Sequence, residues 1–253
     1  AVDDANSGMG VTAEDYDGDG LGDLFVTNFG DQRHALLRNA TAGPRPTFAD
    51  GRPAAGVDDF GGEHTGWGAR FVDLDLDTDL DLVMASGAVP ILDADAAQPL
   101  AAFANLTSSG SPGVFEDVSR VVGLDEVGAH NGRGLAAADF DDDGDMDLAV
   151  NTIGGRLLLL ENRGAAGNGL KVACAEPCTG ALVTATLADG TVLRREVHAG
   201  SSYLSSEDPR AHLGLGRSTE VAELRVEWPG GGATVLEDVA ANEIVVVDER
   251  DSR

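Results

Sequence analysis

Lysine, cysteine and long apolar runs are scarce in this 253-residue sequence, and each scarcity excludes something. Two cysteines, Cys174 and Cys178, cannot build a disulfide framework. Their Ala-Glu-Pro spacer can close one small loop in an oxidising compartment, and no second Cys or His pair lies nearby to complete a zinc site. No stretch of eighteen apolar residues occurs, so no membrane span is written here, and Ala1 does not open a basic-then-apolar signal peptide. A mature or excised chain fits both absences. Basic residues number 17 against 44 acidic ones, a net charge of −27, which excludes nucleic acid and anionic membrane as partners because phosphate binding needs a basic surface. Cations are the natural partners of such a chain. Lys171 is the sole lysine. That bias suits a salty medium, and a GC-rich genome coding Arg over Lys produces it equally.

The sequence repeats internally. Three aspartate-rich segments at residues 15–23, 73–81 and 139–147 align on Asp15, Asp73 and Asp139, with periods of 58 and 66 residues. Upstream, NSGMG, HTGWG and HNGRG place Gly10, Gly68 and Gly134 five positions before the first aspartate. Downstream, each segment runs into an apolar stretch: DLFVTN, DLVMAS, DLAVNT. HALLRN (34–39), AAFANL (101–106) and LLLLEN (157–162) fill the next slot. TFAD (47–50) and VFEDVS (114–119) fill the last, each followed by a Gly-Val/Leu-Asp turn at Gly56 and Gly123. A Pro- and Ala-rich insertion, AVPILDADAAQP (88–99), lengthens the second repeat and reads as a surface loop. Four short β-type runs per repeat predict propeller blades, and the third repeat lacks its fourth run. Three blades do not close a propeller, so a fragment of a longer protein is the expectation. After NRGAAGNG (162–169) the pattern changes to six longer alternating runs: LKVAC, ALVTATL, TVLRREV, AELRVEW, ATVL and EIVVV. The expected fold is all-β: a partial propeller over 1–164 and a small β-sandwich-like domain over 165–253.

Calcium is a hard cation that takes roughly 6–8 oxygens, and alternating carboxylates in a short loop supply them. The first loop offers Asp15, Asp17, Asp19 and Asp23 with the Leu21 carbonyl. The second offers Asp73, Asp75, Asp77 and Asp81 with the Asp79 carbonyl, and the third Asp139, Asp141, Asp143 and Asp147 with the Asp145 carbonyl. Position six is Gly20 and Gly144, where glycine reaches a sharp bend without a Cβ clash. Thr78 stands there in the second loop and predicts weaker binding or a flatter turn. An EF-hand is excluded, because its position twelve requires Glu and this chain has Val26, Met84 and Val150. One Ca²⁺ per loop is expected, in preference to Mg²⁺, which suits all-protein cages less well. Solvated acidic turns are the plain alternative for any one loop, but three in register with their flanks are hard to explain that way.

The loops with their glycine-rich upstream strand resemble the FG-GAP/VCBS repeats of the integrin alpha-subunit propeller. AGSSYLSSEDPRAHLGLG (199–216), VEWPGG (226–231) and LEDVAANE (236–243) resemble the ASPIC/UnbV domain that ends the cartilage acidic protein family. The resemblance implies a secreted or cell-surface calcium-binding protein of adhesion or matrix type and brings no catalytic residues, and the loops of the blades are expected to present a surface to a protein or glycan partner. A second expectation, an enzyme or accessory of secondary-metabolite biosynthesis, is what the UnbV resemblance implies, with His64 and His130, which share a slot on the strand expected to be innermost, as its site. A repeated structural hydrogen bond explains the same pair. His212 reads as a structural residue. Ser201, Ser202, Ser205 and Ser206 form a polar turn without a nucleophile elbow. Asn39 and Asn105 fit the glycosylation acceptor pattern.

Overall fold

A computed structural model of the chain describes residues 6–57, 60–89 and 96–252. Residues 90–95 of the insertion and Asp58 of the Gly56 turn lie outside the described residues. Strands β1 (Gly8–Glu14), β2 (Asp23–Asn28), β3 (Ala35–Asn39) and β4 (Phe48–Asp50) form an antiparallel sheet in sequence order. Strands β5 (Gly66–Val72), β6 (Asp81–Ser86), β7 (Ala101–Asn105) and β8 (Phe115–Asp117) repeat it. Strands β9 (Gly132–Ala138), β10 (Asp147–Thr152) and β11 (Leu158–Leu160) form a third sheet, which has three strands among the described residues. The chain is thus all-β with several antiparallel sheets, and none of them closes on itself. Each aspartate loop joins the first strand of a sheet to the second. Short helices α1 (Arg52–Ala55) and α2 (Leu124–Val127) flank Gly56 and Gly123, both left-handed as a glycine turn requires. No described helix is long and apolar enough to cross a membrane.

The repeats stack through their sheet faces. Tyr16, Phe25, Phe60, Phe71, Phe103 and Phe115 pack between the first two sheets, with Phe25–Phe60 and Phe60–Phe103 ring centroids 5.4 and 5.1 Å apart. Aliphatic residues, among them Val83, Ala85, Leu135 and Val150, pack between the second and third. The middle sheet is covered on both faces, so every residue of β6 is buried. Close approach depends on the recurring glycines. A Cβ on Gly10 would lie 2.1 Å from the Trp67 carbonyl oxygen, and one on Gly68 2.5 Å from the Leu135 amide. Gly134 meets residues 203 and 205 of the C-terminal part instead, with Ser205 Oγ 2.8 Å from a Cβ there.

Seven strands follow, one more than expected: β12 (Asn168–Cys174), β13 (Leu182–Thr186), β14 (Val192–Glu196), β15 (Ala211–Gly216), β16 (Glu220–Glu227), β17 (Ala233–Ala240) and β18 (Ile244–Val247). They form a three-stranded sheet, β15-β12-β18, and a four-stranded one, β14-β13-β16-β17. The added strand is β15, whose AHLGLG sequence carries two glycines and follows Pro209. Alternation holds where one face is covered: β14 reads exposed-buried throughout. Leu170, Val183, Leu213, Leu224 and Val226 fill a core of their own between the two sheets. Cys174 and Cys178 are disulfide-bonded, with Cα atoms 6.2 Å apart. The segment at 198–208 reaches back across the repeats: Val11 and Ser202 exchange two backbone hydrogen bonds, and Tyr203 meets Trp67 edge to face at 4.8 Å.

Candidate metal centres

Each aspartate loop folds around its own backbone amides in the same way. The position-one carboxylate accepts the position-six N–H: Asp15 from Gly20 at 2.8 Å, Asp73 from Thr78 at 3.0 Å, Asp139 from Gly144 at 2.9 Å. Position three accepts from position five, as in Asp17–Asp19, Asp75–Asp77 and Asp141–Asp143, and position five from position seven. Position nine is held from both sides. Asp23 accepts the amides of Tyr16 and Asn39, Asp81 those of Leu74 and Asn105, Asp147 those of Phe140 and Asn162. These bonds wrap the chain so that positions four and six are left-handed in all three loops: Gly18 and Gly20, Leu76 and Thr78, Asp142 and Gly144. Thr78 therefore does not flatten its turn, contrary to expectation. It sits at φ +92°, strained for a β-branched residue.

The wrapping brings carboxylates together. One oxygen each of Asp15, Asp17 and Asp19 lies within 4.8 Å of the others, and the same holds for Asp73, Asp75, Asp81 and for Asp139, Asp141, Asp147. Asp23, Asp77 and Asp143 lie outside these convergent sets. The position-seven residues were expected to offer carbonyls only, yet the Asp79 and Asp145 side chains are buried as well. Asp79 accepts the Ser108 amide, while Asp145 Oδ1 has no hydrogen-bond partner. The position-one carboxylates carry the clearest signature: Asp15 Oδ1 and Asp139 Oδ1 are buried without any hydrogen-bond partner. A buried, unpaired carboxylate oxygen is costly unless a cation faces it. Burial raises the pKa of Asp23, Asp81 and Asp145 to about 7, and that of Asp79 to about 6. Burial also raises Asp15, Asp75 and Asp147, and raises Asp73 well above the usual carboxylate range. Carboxylates crowded this way demand either protons or a positive ion. The donor set is all oxygen and suits a hard divalent cation.

Several residues around the loops were not anticipated. Arg38 pairs with Asp17 and, at 2.7 Å, with Asp19. Asn105 Nδ2 donates to the carbonyls of Leu80 in its own loop and Tyr16 in the preceding one, and Asn162 reaches Leu74 likewise. Consecutive loops are thereby tied. An asparagine recurring at or just past the end of each third strand was the available signal. The C-terminal strands cover the loops: Gly216 N–H donates to Leu76 O, His212 Nε2 lies 2.9 Å from Gly144 O, and Lys171 Nζ lies 2.6 Å from Asp139 Oδ2.

His64 and His130 precede β5 and β9 rather than lying on them. His130 Nε2 meets Val127 O at 3.0 Å, and its backbone pairs with Gln98. His64 lies 3.8 Å from Glu63. His212 is half-buried against Gly144, and desolvation lowers its pKa to about 4. Where the first strands meet the C-terminal part, a cavity of about 40 Å³ is lined by Glu14, Arg70, Arg195, His198 and Glu207 among others. Burial raises the Glu14 pKa although Arg70 and Arg195 oppose it. The volume has room for a few waters, which the unpaired Arg70 Nη1 and Arg195 Nη2 require. No curated protein matches the chain. Residues 172–253 match the family model described as ASPIC and UnbV, which leaves the aspartate loops outside the match.

Proposed function

We propose that this chain is an extracellular calcium-binding protein of structural or adhesion type, in which each aspartate loop holds one Ca²⁺ and the ions stiffen the repeats. The observation that carries the reading is the buried, partnerless oxygen of Asp15 and of Asp139, in the same slot of two loops and each within a convergent carboxylate set. Asp15, Asp17 and Asp19, then Asp73, Asp75 and Asp81, then Asp139, Asp141 and Asp147 are the proposed core ligands, with the Leu21, Asp79 and Asp145 carbonyls completing each shell. The three sheets are read as FG-GAP/VCBS-type blades of a partial propeller over 1–164, and 165–253 as the ASPIC/UnbV domain. The Cys174–Cys178 bridge supports an oxidising, extracellular setting. Loops of the repeats would present the surface for a protein or glycan partner. Calorimetry and thermal melting test the metal reading. Three sites are expected, with constants of about 10⁻⁴–10⁻³ M. At tenfold excess each ion adds about 1.4 kcal/mol of stability. A titration that gives no heat and no change in melting sinks it.

A further inference from the structure

The third loop is fastened to the C-terminal strands through the carboxylate that also bears a partnerless oxygen. Asp139 Oδ2 accepts from Gly144 N–H and from Lys171 Nζ, the latter at 2.6 Å, so the oxygen left for an ion is Oδ1. Lys171 comes from β12, its side chain is mostly buried, and its ammonium also meets Asp142 Oδ1 at 3.0 Å. Arg210 reaches the Asp139 carbonyl and Asp142, and His212 reaches the Gly144 carbonyl. Positions one, four and six of one loop therefore seat three side chains of the C-terminal part, two of them on strands.

We infer that Lys171 is a positioning residue for the third loop's ion, and that through it ion loading of this loop and seating of the C-terminal strands favour one another. The inference rests on the calcium reading. Asp142 stands left-handed at φ +59° in the wrapped loop. Six aspartates within residues 139–147 repel one another, and a divalent ion counters that repulsion and keeps the wrapped form, with its docking points in place. In return, the ammonium holds Asp139 so that Oδ1 remains free for the ion. Those six negative charges exceed the ion's two positive ones, so the ammonium still faces net negative charge after loading. Every other basic residue here is arginine. A compact ammonium, unlike a planar guanidinium, fits between buried Asp139 and exposed Asp142. Binding linkage is reciprocal, so whatever the ion adds to seating, seating adds to ion affinity.

Hydrogen exchange read by mass spectrometry on the full chain, in calcium and in chelator, tests this. In the parent chain calcium should slow exchange about tenfold in both the third loop and residues 210–216. In Lys171→Met, calcium should still protect residues 15–23, a loop that Lys171 does not touch, which reports that the variant is folded and binds calcium. Protection of 210–216 should shrink to about twofold, and calorimetry should show one of three sites weakened. Lys171→Arg should restore only part of the coupling. Equal calcium protection of 210–216 in the parent and the Met variant would overturn the inference, as would protection of the parent's third loop that leaves 210–216 unchanged. If the parent binds no calcium, both the calcium reading and this linkage fail; if it binds three ions and only the linkage is missing, the calcium reading stands alone.

Discussion

The second aspartate loop and its two neighbours share one hydrogen-bonding pattern but live in different surroundings. The first and third loops put glycine at position six, and each keeps a partnerless position-one oxygen. The second puts Leu76 and Thr78 in left-handed conformations, at about 1–2 kcal/mol each. Both Asp73 oxygens accept backbone amides. Leu76 is buried, with Gly167, Gly169 and Gly214 close against the same turn. The wrapping is thus dictated by the alternating carboxylates, and glycine merely makes it cheap. Packing beneath the C-terminal strands compensates where glycine is absent.

The largest expected effect tests the burial side of this contrast. A Cβ on Gly214 would lie 2.0 Å from Asp73 Oδ2 and 2.9 Å from Leu76 Cα, whereas one on Gly22 meets nothing within 4 Å. Gly214→Ala should lower stability by about 3 kcal/mol, and Gly22→Ala by less than about 0.5, as read from denaturant midpoints. Equal costs would erase the distinction between the loops. A middling effect tests what they share. Asp23, Asp81 and Asp145 have folded pKa values of about 7, raised chiefly by burial. The ion-free folded chain then binds more protons than the unfolded one, so its stability is full below the ordinary carboxylate pKa near 4 and is lost as pH rises through about 7. Without calcium, melting should be higher at about pH 5 than at about pH 8. Calcium, which binds the charged form, should reverse that order. Asp23→Asn and Asp81→Asn should each flatten the calcium-free slope; a change from Asp81→Asn alone would make the second loop chemically distinct as well. The smallest effect concerns strain. Thr78→Gly should stabilise the chain by roughly 0.5–1 kcal/mol, relief of strain offset in part by glycine's entropy, and a melting curve that does not rise refutes the strain at φ +92°.

Much of this was legible in the sequence for a plain reason. Loops, glycines and strands recur in register, and recurrence exposes local structure such as the turns at Gly20 and Gly144. The middle loop misled because Thr78 contradicts the local preference and is overruled by contacts from residues 167–216, which no periodicity announces. β15 was missing from the six expected runs because its two glycines interrupt the alternation, while in the fold Gly214 and Gly216 let the strand lie directly on the second loop. Lys171 and Arg38 were visible only as charges. Their meeting with Asp139 and Asp17 spans 32 and 21 residues and belongs to tertiary structure. The slot shared by His64 and His130 was real, but it falls just outside the strands, and of these two rings only that of His130 makes a local hydrogen bond among the described residues, to Val127 O.

The return of residues 201–205 to β1 has a consequence for behaviour in concentrated solution. An exposed strand margin is a template on which another chain can lengthen the sheet, and such growth is a common route to fibres. Val11 gives both its amide and its carbonyl to Ser202, so the middle of the β1 margin is occupied from within the same molecule, while on β9 Gly134 is roofed by Tyr203 and Ser205. The stack of repeats thereby carries its own stopper against edge-to-edge growth at β1, one made from the polypeptide that follows it.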